Sequence, residues 1–314
     1  MSGTGELSGP TIAALRAAAL DLREVADLLF ATLAEDLGGT GDLTSMATVP
    51  AGAMLDVAWV TREAGTVAGL PVLSALVDLA VGRDRGLRLR VGDGDRVPAG
   101  TTLATLRAPA RSVLALERTS LNLLGHLCGV ATATRSWVDA VAGTGVGIRD
   151  TRKTMPLLRA LQKYAVRCGG GLNHRAGLYD AVLIKDNHVA AAGGVGAALD
   201  AVHASLHGSA TTIVQVEVDD LEQLDEALAH GAEQILLDNF GLPDLRAAVR
   251  RVRRDHPAVT LEASGGLTLD LAAAVAATGV DLLAVGALTH SVRNLDVGLD
   301  VVPRFAARST VDRG

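Results

Sequence analysis

Eight basic residues stand between Gly147 and His188: Arg149, Arg152, Lys153, Arg159, Lys163, Arg167, Arg175 and Lys185. Only three acids, Asp150, Asp180 and Asp186, share that window. The chain as a whole has the opposite balance, with 29 Lys and Arg against 35 Asp and Glu and a net charge of −6. Its three lysines, Lys153, Lys163 and Lys185, all fall inside the basic window. A basic island in an acidic protein reads as a focused anion site rather than a diffuse polyanion surface. Arginine grips carboxylate or phosphate through two parallel N–H groups, and lysine adds a point charge. On this reading Arg152, Lys153, His174, Arg175 and Lys185 form a cationic cluster. Arg159, Lys163 and Arg167 recur every four residues and fit a solvated helix face better.

Two further groups carry chemistry. Glu217 and Asp238 form an acidic pair that could neutralise the cluster, hold ribose hydroxyls, or bind a hard divalent cation through oxygen. Ser264-Gly265-Gly266 and Gly286-Ala287-Leu288 are loops where backbone N–H groups can approach a phosphate. Other motifs weigh less. His203 and His207 have a metal-capable spacing but no third ligand nearby, so the pair reads as incidental. Gly169-Gly170-Gly171 follows a helix and reads as a connector rather than a dinucleotide fingerprint. His126, His230 and His256 read as structural, and His290 can be read either way. Cys128 and Cys168 read as ordinary buried thiols of a reducing cytoplasm.

These residues must be positioned by the elements around them. After Val141 short apolar strands are expected at Val146–Ile148, Ala181–Ile184, Thr212–Val218, Gln234–Leu237, Val259–Leu261 and Asp281–Val285. Helices are expected between them at Pro156–Cys168, Val195–His207, Leu221–His230, Leu242–Asp255 and Leu269–Thr278. Strand–helix alternation with buried strands indicates a parallel sheet, either open or closed into a βα barrel. The polar residues fall just after the strands: Asp150 to Lys153, Lys185 to His188, Glu217, Asp238 with Asn239, Glu262 with Ser264 to Gly266, and Gly286. In a barrel, all of these ring one mouth, where such enzymes carry their chemistry.

The first half lacks that alternation. A helix is expected at Leu22–Leu37, a strand at Ala53–Arg62, a helix at Leu70–Val81, and short strands at Leu87–Val91 and Thr101–Arg107. A long helical stretch from Ala110 to about Val141 carries the domain junction. The 314 residues suit about two domains, and aromatics at 2% leave Ala, Val and Leu to build the core. With 49% hydrophobic and 20% charged residues, disorder is excluded. No apolar run reaches the roughly 18 residues of a membrane helix. The opening Met1 to Glu6 lacks a signal-peptide pattern, and a net-negative chain is a poor general partner for nucleic acid.

The motifs together resemble quinolinate phosphoribosyltransferase. They are Glu117-Arg118-Thr119-Ser120-Leu121-Asn122, Asp150-Thr151-Arg152-Lys153-Thr154, Lys163-Tyr164-Ala165-Val166, Gly169-Gly170-Gly171-Leu172-Asn173-His174-Arg175 and Ile184-Lys185-Asp186-Asn187-His188. Further matches are Leu236-Leu237-Asp238-Asn239, Glu262-Ala263-Ser264-Gly265-Gly266 and Val285-Gly286-Ala287-Leu288-Thr289-His290-Ser291. The resemblance runs from about Glu35 to Leu299, and the first 20 or so residues look like a variable extension. It implies an α/β fold: an N-terminal α/β sandwich over residues 1–125, with the tail 290–314 packed on it, and an incomplete, seven-stranded βα barrel over 126–289.

The implied reaction joins quinolinate and phosphoribosyl pyrophosphate, with Mg²⁺, into nicotinate mononucleotide, pyrophosphate and CO₂ in NAD synthesis. The resemblance further implies that Arg118, Arg152, His174, Arg175 and Lys185 hold the two carboxylates of quinolinate, with Thr151 beside them. Lys153, Glu217 and Asp238 are the expected catalytic groups, and the two acids are the expected metal ligands. Ser264, Gly265, Gly266, Val285, Gly286 and Ala287 should cradle the 5′-phosphate. A cytoplasmic homodimer with shared active sites, or a higher oligomer, is implied, with Arg118 reaching into the partner's site.

One residue departs from the family pattern. Leu157 stands where a glycine is usual after the proline of Lys-Thr-x-Pro. The expectation is that Pro156 starts a helix, which makes Leu157 unproblematic. Two other readings are distinguishable. A same-fold pyrophosphorylase could use a different acceptor, such as the molybdenum-linked homologues, but the carboxylate contacts favour quinolinate. The turn Gly94 to Gly100 is similar to those of biotinyl or lipoyl carriers, but no lysine precedes Lys153 to be modified.

Overall fold

The computed structural model describes residues 7–83, 86–206 and 213–302. The chain divides into two units, one formed by residues 1–129 with 293–314 and the other by 130–292. The boundary falls inside one long helix.

The first unit opens with helices α1 (Gly9–Ala17), α2 (Leu22–Leu37) and α3 (Leu43–Thr48). Each starts on a side-chain oxygen cap, from Ser8, Asp21 and Asp42 respectively. So the expected extension contains an ordered helix. Strands β1 (Met54–Thr61) and β2 (Gly65–Thr66) lead to α4 (Leu70–Val81), which packs against α1 and α2. The apolar run of α4 buries eight of its twelve residues. Next come β3 (Arg88–Leu89), β4 (Arg96–Val97), β5 (Thr102–Pro109) and the 31-residue helix α5 (Ala110–Ala140). The antiparallel sheet has β1 at its centre, paired with β5 on one side and with the C-terminal strand Val297–Val301 on the other.

The second unit alternates strand and helix. Its strands are β6 (Gly147–Arg149), β7 (Val182–Ile184), β8 (Val214–Val218), β9 (Gln234–Asp238), β10 (Thr260–Ser264) and β11 (Leu282–Ala284). They form a parallel ladder in the order β6, β11, β10, β9, β8, β7. On the far edge of β6, Leu172 makes a single parallel bridge to Arg149, with Leu172 N–H donating to Ile148 O at 2.7 Å. The parallel sheet of the described residues therefore has six strands rather than the expected seven, with only this bridge beyond β6.

The helices are α6 (Arg159–Cys168), α7 (Asp186–Ala192), α8 (Val195–Ser205), α9 (Leu221–Ala229), α10 (Leu242–Asp255), α11 (Ala272–Ala276) and α12 (Ala287–His290). A 3₁₀ turn, Leu269–Leu271, splits the last expected long helix. Helix α7 was not expected. His207 of the expected His203/His207 pair lies outside the described residues.

Side chains two apart share a strand face. In β8, Val214, Val216 and Val218 therefore lie on one face, and Gln215 and Glu217 on the other. Three strands contribute polar side chains that meet in the barrel interior: Arg149 from β6, Gln215 from β8 and Glu262 from β10.

Candidate active site

The interior polar layer is a connected chain. Arg149 Nη1 donates to Glu262 Oε2 at 3.1 Å, and Gln215 Nε2 donates to the same oxygen at 2.6 Å. Gln215 Oε1 lies 2.8 Å from His174 Nε2. Glu262 is fully buried, and burial pushes its carboxyl above the ordinary range. Its Oε1 is buried and meets no hydrogen-bond partner among the described residues.

A second knot anchors the same segment from below. Asp150, at 0% exposure, accepts from Lys163 Nζ at 2.5 Å, Asn173 Nδ2 at 2.6 Å and the His174 N–H at 2.8 Å. Lys163 Nζ also donates to His174 O at 2.8 Å. Lys163 is buried, so the reading of Arg159, Lys163 and Arg167 as a solvated face is corrected. Arg167 donates to Asn173 Oδ1 at 2.6 Å and lies over the Tyr164 ring. Arg159 ties Thr154 Oγ1 to Ala176 O, each at 3.0 Å. Helix α6 is thus a strut for two loops of the mouth.

These bonds overturn one member of the cationic cluster. The Arg175 backbone N–H donates to His174 Nδ1 at 2.7 Å. Burial, with the charges of Arg149, Lys163 and Arg175 around it, lowers the His174 pKa to about 4. The ring is neutral near pH 7, so His174 brings no positive charge to the site. Arg175 keeps its charge. Its Nη1 donates to Ala181 O at 3.1 Å, its Nε is buried without a partner among the described residues, and burial and the nearby charge of Arg152 lower its pKa. Two guanidinium groups near enough to repel each other suit a bound dianion.

Lys153 lies against one of the glycine loops, that of Gly286. A Cβ at Gly286 would stand 3.0 Å from Lys153 Cδ, so the lysine stem lies over that loop. Lys153 O accepts from Thr289 Oγ1 at 2.8 Å, and its N–H donates to Thr151 Oγ1 at 3.0 Å. Buried Gln162 braces this loop, taking the Met155 N–H at 2.9 Å and donating to Thr289 O at 2.7 Å. Gly265 has φ +87°, and a Cβ there would fall 2.1 Å from Asn239 Oδ1 and 2.8 Å from Asn239 N. The Ser264 carbonyl accepts that same Asn239 N–H at 2.9 Å. Val285 N–H donates to Arg149 O at 2.9 Å, which fixes the start of the Gly286-Ala287 loop. Helix α12 has only four residues, so its dipole adds little.

The acidic pair is asymmetric. Buried Glu217 is ion-paired with the half-exposed Lys185, while Asp238 accepts from Asn239 Nδ2 at 2.7 Å. Among the described residues no three metal-type side chains converge. The carboxylate oxygens of Glu217 and Asp238 are donors of the kind that a hard divalent cation takes. Arg118 lies on the exposed surface of α5, in the first unit.

Leu157 overturns its expectation. It has φ +64° and is 89% exposed, and α6 begins only at Arg159. Met155 to Leu158 form a turn closed by Leu158 N–H to Met155 O at 3.2 Å. The glycine preference at this position is therefore a backbone requirement, which Leu meets under strain.

Gln162 and Gln215 were missed as contributors to the site, and Asp150 and Asn173 were noted without a role. Gln215 had a usable signal, since it stands two residues before Glu217 and so shares its face.

Comparison with known proteins agrees with this architecture. The quinolinate phosphoribosyl transferase C-terminal domain model matches residues 130–300, and the N-terminal domain model matches residues 42–128. The chain belongs to the quinolinate phosphoribosyltransferase family. It is 54% identical over 277 residues to the carboxylating nicotinate-nucleotide pyrophosphorylase of Mycobacterium leprae, covering 88% of this chain and 96% of that one. It is 37% identical over 299 residues to a mitochondrial decarboxylating quinolinate phosphoribosyltransferase of Nicotiana glauca, covering 91% and 84%. The solved nicotinate-nucleotide pyrophosphorylase of Francisella tularensis superposes with a TM-score of 0.81 at 35% identity, covering 90% of this chain and 98% of that one.

Proposed function

We infer that this chain carries out its family's reaction. It transfers phosphoribosyl from phosphoribosyl pyrophosphate to quinolinate and releases pyrophosphate and CO₂, giving nicotinate mononucleotide for NAD synthesis. The observation that carries this reading is the guanidinium pair Arg152 and Arg175 after β6, in a unit that also places Glu217 and Asp238 at or next to the C-terminal ends of β8 and β9. A dicarboxylate acceptor suits the first group and a developing ribosyl cation suits the second.

Arg152, Arg175 and Lys185 hold the two carboxylates of the acceptor, with Thr151 and His174 shaping the pocket. The pyridine nitrogen attacks the anomeric carbon as pyrophosphate leaves. Glu217 and Asp238 stabilise the positive charge on the ribose, and Lys153 attends the leaving phosphates. Ser264 to Gly266 and Val285 to Ala287 line the 5′-phosphate. Glu217 and Asp238 would also hold Mg²⁺, which when bound neutralises pyrophosphate charge. Once glycosylated, the cationic ring nitrogen stabilises the carbanion left as the adjacent carboxylate departs as CO₂, and a proton takes its place. Bond-making needs no general acid, so positioning and electrostatics carry the rate.

Exposed Arg118 supports a homodimer in which each subunit completes the other's site. Two unbridged cysteines, Cys128 and Cys168, suit a reducing cytoplasm. The test mixes the protein with quinolinate, phosphoribosyl pyrophosphate and Mg²⁺ and assays nicotinate mononucleotide. Quinolinate should support turnover and nicotinate should not. Equal turnover with nicotinate would replace this reading by a same-fold enzyme with another acceptor.

A further inference from the structure

Every polar group of His174 is engaged inside the barrel unit. Its backbone N–H donates to Asp150 and its carbonyl accepts from Lys163. Its ring contacts follow from donor and acceptor logic alone. A backbone amide can only donate, so Nδ1, 2.7 Å from the Arg175 nitrogen, must carry its lone pair there. A neutral imidazole then has its proton on Nε2, which faces Gln215 Oε1 at 2.8 Å. Gln215 in turn donates its amide to Glu262 Oε2 at 2.6 Å, where Arg149 also donates. The assignment is consistent along the whole chain of bonds. Protonating Nδ1 would set two donors against each other.

We infer that Gln215 is a positioning residue for acceptor binding: it fixes the Nε2–H tautomer of His174, whose Nδ1 then holds the Arg175 backbone and so aims the Arg175 guanidinium beside Arg152. Carboxylate recognition on this face falls to the guanidinium groups, and His174 acts as a neutral pivot. The charged groups surrounding the ring are Arg149 and Asp150 at the end of β6, Lys163 on α6, Arg175 beside it and Glu262 on β10. Three cations near the ring oppose a fourth. A cationic His174 clamp would instead need a free N–H aimed at substrate, and both ring nitrogens are committed within the protein.

The inference rests on the proposed reaction for its kinetic test and on the bare protein for its spectroscopic one. Gln215→Leu removes the acceptor from Nε2–H. It should raise the KM for quinolinate about tenfold, as for one lost buried hydrogen bond, and leave the KM for phosphoribosyl pyrophosphate within about twofold. Gln215→Glu restores an acceptor, sharing one proton with Glu262, and should recover most of that loss. An equal change in both KM values, or no change in either, would overturn the assignment. If Gln215→Leu does not fold, the ring nitrogens of the unmodified protein decide. With ¹⁵N-labelled histidine, the resonances that vanish in His174→Asn identify this ring. They should show one protonated nitrogen, Nε2, from about pH 8 down to about pH 5.5, with or without quinolinate. Two protonated nitrogens at neutral pH, or a proton on Nδ1, would refute the pivot even if the enzyme makes its product. Absent product formation would count against the proposed reaction alone.

Discussion

Replacing Lys163 by methionine isolates the knot under the site. The substitution keeps the bulk of the stem and removes the ammonium, leaving Asp150 at 0% exposure with only the Asn173 amide and the His174 N–H. Breaking one side of a buried ion pair costs about 3–5 kcal/mol, because the remaining charge has lost its counter-charge. For a unit of this size that lowers Tm by about 6–20 °C.

The pH dependence has a definite sign. Burial already pushes Asp150 above the ordinary carboxylate range, and losing Lys163 pushes it further. A carboxyl with a raised folded pKa contributes stability below its unfolded value and loses it as pH rises through the folded one. The variant should therefore recover relative to wild type as pH falls from about 8 to about 5. Lys163→Met with Asp150→Asn removes both charges and keeps an acceptor for the His174 N–H, so most of the loss should return. Thermal unfolding followed by circular dichroism at several pH values reads all of this. A single-variant loss under about 1 kcal/mol, or a double variant no better than the single, would refute the reasoning.

Four other substitutions probe separate parts. Leu157→Gly relieves a left-handed backbone that costs a non-glycine residue about 1–2 kcal/mol, partly offset by glycine's freedom in the unfolded chain. It should raise Tm by about 1–4 °C in a melting experiment, and a lower Tm would count against the strain. Gly265→Ala drives a Cβ into Asn239 and should raise the KM for phosphoribosyl pyrophosphate at least about tenfold, while an unchanged KM would remove that loop from the phosphate site. Lys153→Ala should lower turnover at least about tenfold, or 1.4 kcal/mol. Mixed dimers of Lys153→Ala with Arg118→Ala should regain activity if sites are shared. No regain in stable mixed dimers would show that each subunit works alone.

The strand ends were legible because buried parallel strands are short apolar runs and most of the runs here stop on or just before a polar residue. Glu217, Asp238 and Ser264 sit at or next to the ends of β8, β9 and β10, as that pattern requires. Helix α7 was hidden because Asp186-Asn187-His188 also reads as loop, and its start is set by the His188 ring reaching back to the Lys185 N–H at 3.0 Å. Lys163 carried a surface pattern on α6, and only the buried Asp150 opposite explains why it points inward. Leu157 showed the limit of local rules, since proline can open a turn as readily as a helix. The neutral state of His174 was out of reach because it depends on Gln215, 41 positions away, and on the direction of one backbone N–H.

The most direct test of the central claim is the yield of CO₂ per pyrophosphate, using quinolinate labelled in the carboxylate next to the ring nitrogen. The account predicts one labelled CO₂ for each pyrophosphate, with label absent from the mononucleotide. Pyrophosphate release with the label retained in the product would contradict it.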